Sequence, residues 1–252
     1  LYVLAMSVLS IIGLIMAGWG SANKYGIIGG LRSAAQLISY EIPLIVIAIT
    51  IAMLAGTLNL TEIATGQGTT WYVLLQPLAL VIFLLAGLAE VGRSPFDIFQ
   101  AESELVGGPF IEYSGAHWSI FFLGEYINTF LVAALITIFF FGGWSGPLLP
   151  EVAWFLIKCY MVILVMFWLR GTIPRLRIDQ LMAFGWQALV PLSFLNFLMV
   201  SFALFYGWPN WIQTVLSLTT LVAASTFVYF KTSAQKARPT VRLIPAREVR
   251  RA

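Results

Sequence analysis

The chain contains 252 residues, of which 60% are hydrophobic and 10% are charged, and its formal net charge is +3 at pH 7. Soluble domains carry about 25% charged residues, so this composition excludes an ordinary soluble protein and indicates an integral membrane protein. The single cysteine, Cys159, and the single histidine, His117, exclude an internal disulfide, an iron–sulfur cluster held by this chain alone and a haem with two histidine ligands.

Apolar segments of spanning length recur along the whole chain. A spanning helix needs about 20 apolar residues at a rise of about 1.5 Å per residue. The sequence therefore predicts an all-α fold, a polytopic transmembrane bundle over residues 1–230, followed by a basic tail at 231–252. The seven predicted spans are 1–19, 34–56, 72–89, 118–141, 152–169, 187–206 and 211–230. Because the first span starts at Leu1 within an apolar run, we interpret the chain as a piece of a longer protein.

The connections between the predicted spans differ in charge. Thirteen of the 14 basic residues lie in the loops 20–33, 90–117 and 170–186 and in the tail. The loops on the other side hold no basic residue, and Lys158, the remaining cation, lies within a predicted span. The positive-inside rule assigns the basic side to the cytoplasm. We therefore expect a cytoplasmic C-terminal tail.

The loop 90–117 is acidic although it lies on the basic side. The stretch EVGRSPFDIFQAESELVGGPFIEY and the start of the next span hold six of the eleven carboxylates: Glu90, Asp97, Glu102, Glu104, Glu112 and Glu125. Pro95 disfavours helix at the residue before it, which predicts a short helix over DIFQAESELV that ends at the glycines that follow. Glu102 and Glu104 do not share a helical face, so we expect two separate contacts. A solvated loop that offsets nearby arginines remains the alternative.

Ionisable residues also lie within the predicted spans or at their ends. They are Glu41, Glu90, Glu125 and Lys158. An ionisable group inside a membrane is a functional candidate. A series of acids with cations nearby can exchange protons, because burial and neighbouring charge set the proton affinity of each group. Structural ion pairing is the alternative.

A second charged cluster, LRGTIPRLRIDQL at 169–181, is predicted on the same membrane face as the acidic loop. It contains Arg170, Arg175, Arg177 and Asp179. Opposite charges on one face can pair, and they can also line a cavity that receives a polar headgroup.

Three stretches carry a family resemblance. They are GWGSANKYGIIGGLRSAAQLISYEIPL (18–44), AEVGRSPFDIFQAESELVGGPFIEYSG (89–115) and LRGTIPRLRIDQLMAFGWQALVPL (169–192). In this order they resemble the NuoH-type subunit of respiratory complex I, the membrane heel of the proton-pumping NADH–quinone oxidoreductase, over positions 1 to about 206. The resemblance implies about two further spans before Leu1. The predicted span 211–230 resembles bacterial members, which implies a bacterial plasma membrane.

The resemblance implies a membrane subunit of the enzyme that holds no redox centre of its own. It would form the membrane end of a quinone tunnel and the start of a carboxylate path that couples quinone reduction to proton translocation. Quinone is then the substrate. Peripheral-arm subunits would supply flavin and iron–sulfur clusters, so we expect no flavin, haem, iron–sulfur cluster or other metal in this chain. The other implied partners are small membrane subunits, antiporter-like subunits and lipid, with no nucleic acid.

The motifs also assign roles to residues by resemblance. The proton-path acids are Glu41, Glu90, Glu102, Glu104, Glu112 and Glu125. The residues beside the tunnel are Arg32, Arg93, Phe96, Asp97, Arg170, Arg175 and Asp179. Charge that develops during quinone reduction would then drive proton release along Glu125, Glu90 and Glu41.

The chain departs from the family pattern in the acidic loop, where GGPFIEY also replaces the more usual AGFHTEY. Phe99 and Gln100 stand where proline and glutamate are usual, and Gly92 stands where asparagine is common. Glutamine cannot titrate, so one carboxylate of the usual set is missing. The alternative function is the anchor subunit of a membrane-bound hydrogenase. A free-standing transporter is disfavoured because the sequence shows no internal repeat.

Overall fold

The computed structural model describes residues 2–68, 70–98, 107–147 and 149–236, with only the backbone described from residue 227 onward. Eleven α-helices are described: α1 Tyr2–Ser7, α2 Leu9–Gly20, α3 Lys24–Ala55, α4 Leu60–Thr65, α5 Tyr72–Leu75, α6 Pro77–Val91, α7 Gly115–Phe140, α8 Glu151–Thr172, α9 Ile178–Phe184, α10 Val190–Phe205 and α11 Asn210–Lys236. A 3₁₀ turn, Gly108–Phe110, precedes α7, and a π-helical turn, Gly185–Leu189, joins α9 to α10. Within the described ranges the fold is all-helical, as predicted.

All seven predicted spans fall on helices. Five helical stretches are long and apolar enough to cross a membrane: Tyr2–Gly20, Lys24–Ala55, Gly115–Phe140, Glu151–Thr172 and Ile178–Phe205. The predicted span 72–89 is instead divided into α5 and α6, and α6 has only 15 residues. The division falls at Gln76 because Pro77 has no N–H to donate and disfavours helical geometry in the residue before it. The count of seven spans stays a prediction.

Helix α3 is the centre of the bundle and contacts α2, α6 and α10. It begins ten residues before the predicted span 34–56, because the Asn23 side chain accepts a hydrogen bond from the Tyr25 N–H at 3.1 Å and caps the helix. Gly56, with φ +72°, ends it. Glycines allow α2 to approach closely: a Cβ on Gly18 would lie 2.7 Å from the Gly26 carbonyl oxygen.

A second layer packs α6 against α7. Gly87 of α6 faces Val132 of α7 so closely that a Cβ on the glycine would collide with the valine side chain. Phe83 meets the rings of Phe139 and Phe140 edge-on, with centroids 5.6 and 6.0 Å away. These fully buried rings continue the core that α3 begins, so α6 is enclosed by protein on both sides.

Two polar side chains, Gln67 and Lys158, hold the connections at the end of the bundle opposite the acidic loop. The Gln67 amide donates to the Ile138 carbonyl oxygen at 2.9 Å and accepts from the Gly142 N–H at 3.0 Å. Lys158 of α8 donates to three backbone carbonyls, those of Phe141 at 2.7 Å, Gly143 at 3.1 Å and Ser145 at 2.7 Å. Its ammonium also lies 5.2 Å from the centre of the Trp71 ring. The cation within a predicted span therefore binds the turn that links α7 to α8.

Candidate active site: an acidic cavity beside the 90–117 loop

A cavity of about 570 Å³ opens on the face that carries the acidic loop. Its wall is formed by α2, α3, the end of α6, the segment 107–113 and the first half of α7. Its lining is mainly apolar and aromatic, and includes Leu14, Leu37, Val91, Phe110, Ile111, Trp118, Phe121 and Phe122. Two carboxylates, Glu90 and Glu125, interrupt this lining. A large apolar cavity with a few placed polar groups is the usual form of a small-molecule site.

Arg93 and Glu125 form an ion pair at the cavity wall. The Arg93 Nε lies 3.3 Å from a Glu125 carboxylate oxygen, and the two side chains are 14% and 11% exposed. The guanidinium also lies 4.8 Å from the ring centre of Tyr126 and 6.0 Å from that of Phe122. One turn of α7 therefore supplies both the carboxylate and the aromatic faces that hold the cation. This pairing joins the acidic loop to α7.

Glu90 connects the cavity to the interior of α3. It lies in the last turn of α6, lines the cavity, and lies close to Ser7 of α1. It is also close enough to Glu41 of α3 for the two carboxyl groups to interact electrostatically. Glu90 is therefore placed between a second acid and the cavity.

The start of the acidic loop is held by a buried amide of α3. The Gln36 Nε2 donates to the carbonyls of Ala89 and Phe96, both at 2.8 Å. Phe96 is buried and its ring centre lies 5.8 Å from that of Tyr40. Because one amide binds carbonyls on both sides of Arg93, the backbone that carries this arginine is fixed relative to α3.

The basic cluster at 169–181 packs against the same loop through its backbone. The Leu176 N–H donates to the Pro95 carbonyl at 3.1 Å, and the Tyr40 hydroxyl donates to the Leu181 carbonyl at 2.9 Å. The charged side chains of the cluster, Arg170, Arg175, Arg177 and Asp179, are exposed. The structure therefore brings the two charged segments together, and it leaves the arginines at the surface of this chain.

The end of the loop closes the cavity from the other side. A Cβ on Gly29 would lie 2.7 Å from the Cα of Gly108, so the 3₁₀ turn rests directly on the α3 backbone. The Tyr113 hydroxyl donates to the Ala17 carbonyl at 3.0 Å, and the Asn23 amide donates to an exposed Glu112 carboxylate at 3.0 Å. The segment 107–113 is thus anchored on the turn between α2 and α3.

The predicted site residues fall into four groups. Glu90, Glu125 and Arg93 meet at the cavity wall, and Glu41 lies behind Glu90. Phe96 is buried beside the half-buried Asp97, and Arg32 is half-buried in α3. Glu112 is at the exposed rim, as are the charges of the basic cluster. Glu102 and Glu104, with the predicted helix that carries them, lie outside the described residues, as do Phe99 and Gln100. Among the described ranges, no three His, Cys, Asp or Glu side chains are grouped to hold a metal ion.

Sequence reasoning missed the residues that position the loop. Gln36 and Tyr40 carry no charge and lie within apolar segments. A polar residue predicted inside a spanning helix is the signal that could have singled out Gln36, because its amide needs partners in hydrocarbon.

A sequence model of the family described as NADH dehydrogenase matches residues 1–201. The chain belongs to this family. It is similar to proteins named as H-type subunits of NADH-quinone oxidoreductase. The protein from Geobacillus kaustophilus is 47% identical over 205 residues, which cover 80% of this chain and 62% of that protein. The proteins from Geobacillus thermodenitrificans and Bacillus thuringiensis are each 48% identical, over 205 and 200 residues that cover 80% and 78% of this chain and 62% and 60% of those proteins.

The chain thus spans about three fifths of the length of these relatives. The comparisons confirm the family resemblance drawn from the three sequence stretches. Together with the five apolar helices, they identify the chain as an integral membrane protein of the NADH dehydrogenase family.

Proposed function

We propose that the protein is the membrane subunit of a proton-translocating NADH:quinone oxidoreductase that forms the membrane end of the quinone site. The observation that carries this proposal is the apolar cavity of about 570 Å³ with Glu90 and Glu125 in its wall. The names of the similar proteins favour this function over the anchor subunit of a hydrogenase. We place the protein in a bacterial plasma membrane, with its basic tail in the cytoplasm.

The cavity suits a molecule with an aromatic head and a hydrocarbon tail. Its aromatic lining offers ring faces to a planar headgroup, and its aliphatic lining offers surface that a tail can cover. Reduction of a quinone to a quinol takes up two electrons and two protons. Electrons would come from partner subunits that hold redox centres, because this chain has too few cysteines and histidines to bind them.

The acids in the wall would supply the coupling. Glu125 is held by Arg93, and Glu90 lies close to Glu41. A change of charge in a cavity that excludes water acts strongly on neighbouring acids, because the surrounding dielectric constant is low. We propose that proton transfer runs along Glu125, Glu90 and Glu41. In this proposal Glu102, Glu104 and Glu112 join the path from the loop.

The partners are tested by isolating the complex. The native assembly is solubilised in mild detergent, its subunits are identified by mass spectrometry, and NADH:quinone reduction is assayed. Flavin and iron–sulfur subunits with quinone reductase activity are expected. A nickel–iron hydrogenase partner without quinone reduction would instead establish the alternative.

The path is tested by isosteric variants in the assembled complex. Glu90→Gln and Glu125→Gln keep the side-chain shape and remove the titrating group, so quinone reduction and proton translocation should fall together. Glu62→Gln is the matched control, because Glu62 is exposed and hydrogen-bonds to Thr57 and Asn59 in a connection on the opposite face. Full translocation in assembled Glu90→Gln and Glu125→Gln complexes would refute the path.

A further inference from the structure

A second polar cluster lies inside the bundle, away from the acidic cavity. It is formed where the junction of α5 and α6 meets α10 and α11. Four polar side chains converge there: Gln76, Asn196, Gln213 and Ser217, with exposures of 2%, 0%, 5% and 1%. None is charged, and they come from three different parts of the sequence. The cluster has no role in the quinone site proposed above.

Three of these side chains have polar atoms without a hydrogen-bond partner within the part of the chain that the structure describes. Both amide atoms of Asn196 are unpaired, as are the side-chain oxygens of Gln76 and Gln213. The Ser217 hydroxyl is paired, since it contacts the Leu75 carbonyl at 3.2 Å and the Thr214 carbonyl at 2.9 Å. Buried polar atoms without a partner are rare in proteins, and they are especially unfavourable inside a membrane. The four unpaired atoms therefore require a ligand.

The space between these side chains matches one small ligand. A cavity of about 10 Å³ is lined by all four of them, together with aliphatic groups of α10 and α11. This volume is about that occupied by a single water molecule, and a buried water makes about three hydrogen bonds. Among the unpaired atoms, the Asn196 Nδ2 is a donor and the three amide oxygens are acceptors. No carboxylate is in the lining, so a metal cation would meet no compensating charge there.

We infer that this cluster binds one structural water molecule. The water accepts a hydrogen bond from Asn196 and donates to the amide oxygens of Gln76 and Gln213, so that it connects α10, the start of α6 and α11. Helix α11 lies beyond the residues matched by the family model, which end at 201. The bound water thus adds hydrogen bonds between α11 and the rest of the bundle to the apolar packing between them.

The direct test is a density map of the full-length protein in its native complex, at a resolution that shows ordered waters. A single peak is expected at about 2.7–3.2 Å from Asn196, from Gln76 and from Gln213. The inference is overturned if the amides bond to one another directly, if the site holds no peak, or if the peak has the short contacts and the oxygen-only ligands of a cation.

Variants test the shared ligand without a map. Asn196→Leu and Gln213→Leu are made singly and together, and the fraction of assembled complex that survives heating is measured. Each single variant should lower the temperature of half-loss, and the double variant should lower it by less than the sum, because both residues bind one water. Thr220→Val is the control, since the Thr220 hydroxyl donates to carbonyls of its own helix. Simple additivity of the two shifts would overturn the inference.

Discussion

Replacement of Lys158 by methionine distinguishes a structural role of this residue from a role in proton transfer. Methionine fills much of the same volume but has no ammonium group. In the native protein this ammonium donates to three carbonyls in the turn after α7, at 2.7, 3.1 and 2.7 Å. A lysine ammonium has three N–H groups, so all of its donors are used by backbone. We therefore expect Lys158→Met to destabilise this turn and to leave the proton path intact.

The size of the effect follows from those three contacts. A hydrogen bond to a charged group contributes about 1.5–3 kcal/mol, so three such bonds give an upper limit of about 9 kcal/mol. The native ammonium is half-buried, and its desolvation offsets part of that gain. We expect a net loss of about 3 kcal/mol. For a chain of this size, such a loss lowers the melting temperature by about 6–12 °C.

The assay heats the purified complex in detergent and follows its dissociation by native electrophoresis. Proton translocation per quinone reduced is measured on the same preparation below the melting temperature. Tyr160→Phe is the control, because Tyr160 lies on the same helix, is 59% exposed and loses only a hydroxyl. Its melting temperature should stay close to that of the native protein. A Lys158→Met complex with native stability and a reduced translocation ratio would refute the structural interpretation.

Three further predictions concern the acidic cavity. Arg93→Leu should destabilise the protein by about 3–5 kcal/mol, because Glu125 loses its arginine partner. The Arg93→Leu/Glu125→Gln double variant should recover part of this loss in thermal melts. Equal melting temperatures for the single and the double variant would contradict the pairing. Gln36→Met should loosen the start of the loop. Native-state hydrogen exchange would report this as faster exchange at the Phe96 amide. Unchanged exchange would show that Gln36 does not hold the loop. Gly29→Ala should displace the 3₁₀ turn that it contacts and lower the affinity for quinone, measured as a raised KM in the assembled complex. An unchanged KM would show that this contact does not shape the cavity.

Charge patterns allowed much of the site to be predicted. Carboxylates and arginines are costly inside a membrane, so their clustering at 90–125 and 169–181 identified the face of the cavity before any geometry was known. The same reasoning named Glu90 and Glu125, the family resemblance added Arg93, and the structure brings the three together. It could not pair Arg93 with Glu125, because they are separated by the whole loop and only the packing of α6 against α7 brings them close.

The roles of uncharged residues could not be predicted from local pattern. Gln36 reads as an ordinary polar position in an apolar segment, and its two carbonyl partners become visible only when the loop folds back onto α3. Lys158 was interpreted as a functional candidate or an ion-pair partner, but its described contacts are backbone carbonyls and one aromatic ring. The break at Gln76 was signalled by Pro77, yet the length of the apolar run 72–89 made one continuous span the simpler prediction.

The break between α5 and α6 has a consequence for how the chain enters the membrane. Its 15 residues make α6 about 22 Å long, shorter than the hydrocarbon layer of about 30 Å, and the backbone at Gln76 is not helical. Such a segment is unstable when surrounded by lipid. In the finished protein α3, α7, α10 and α11 all contact α6. Since α7, α10 and α11 follow α6 in the chain, α6 reaches its final depth only after the last of these helices has been synthesised. We therefore expect α6 to settle in the bilayer late, after the helices that enclose it have been made.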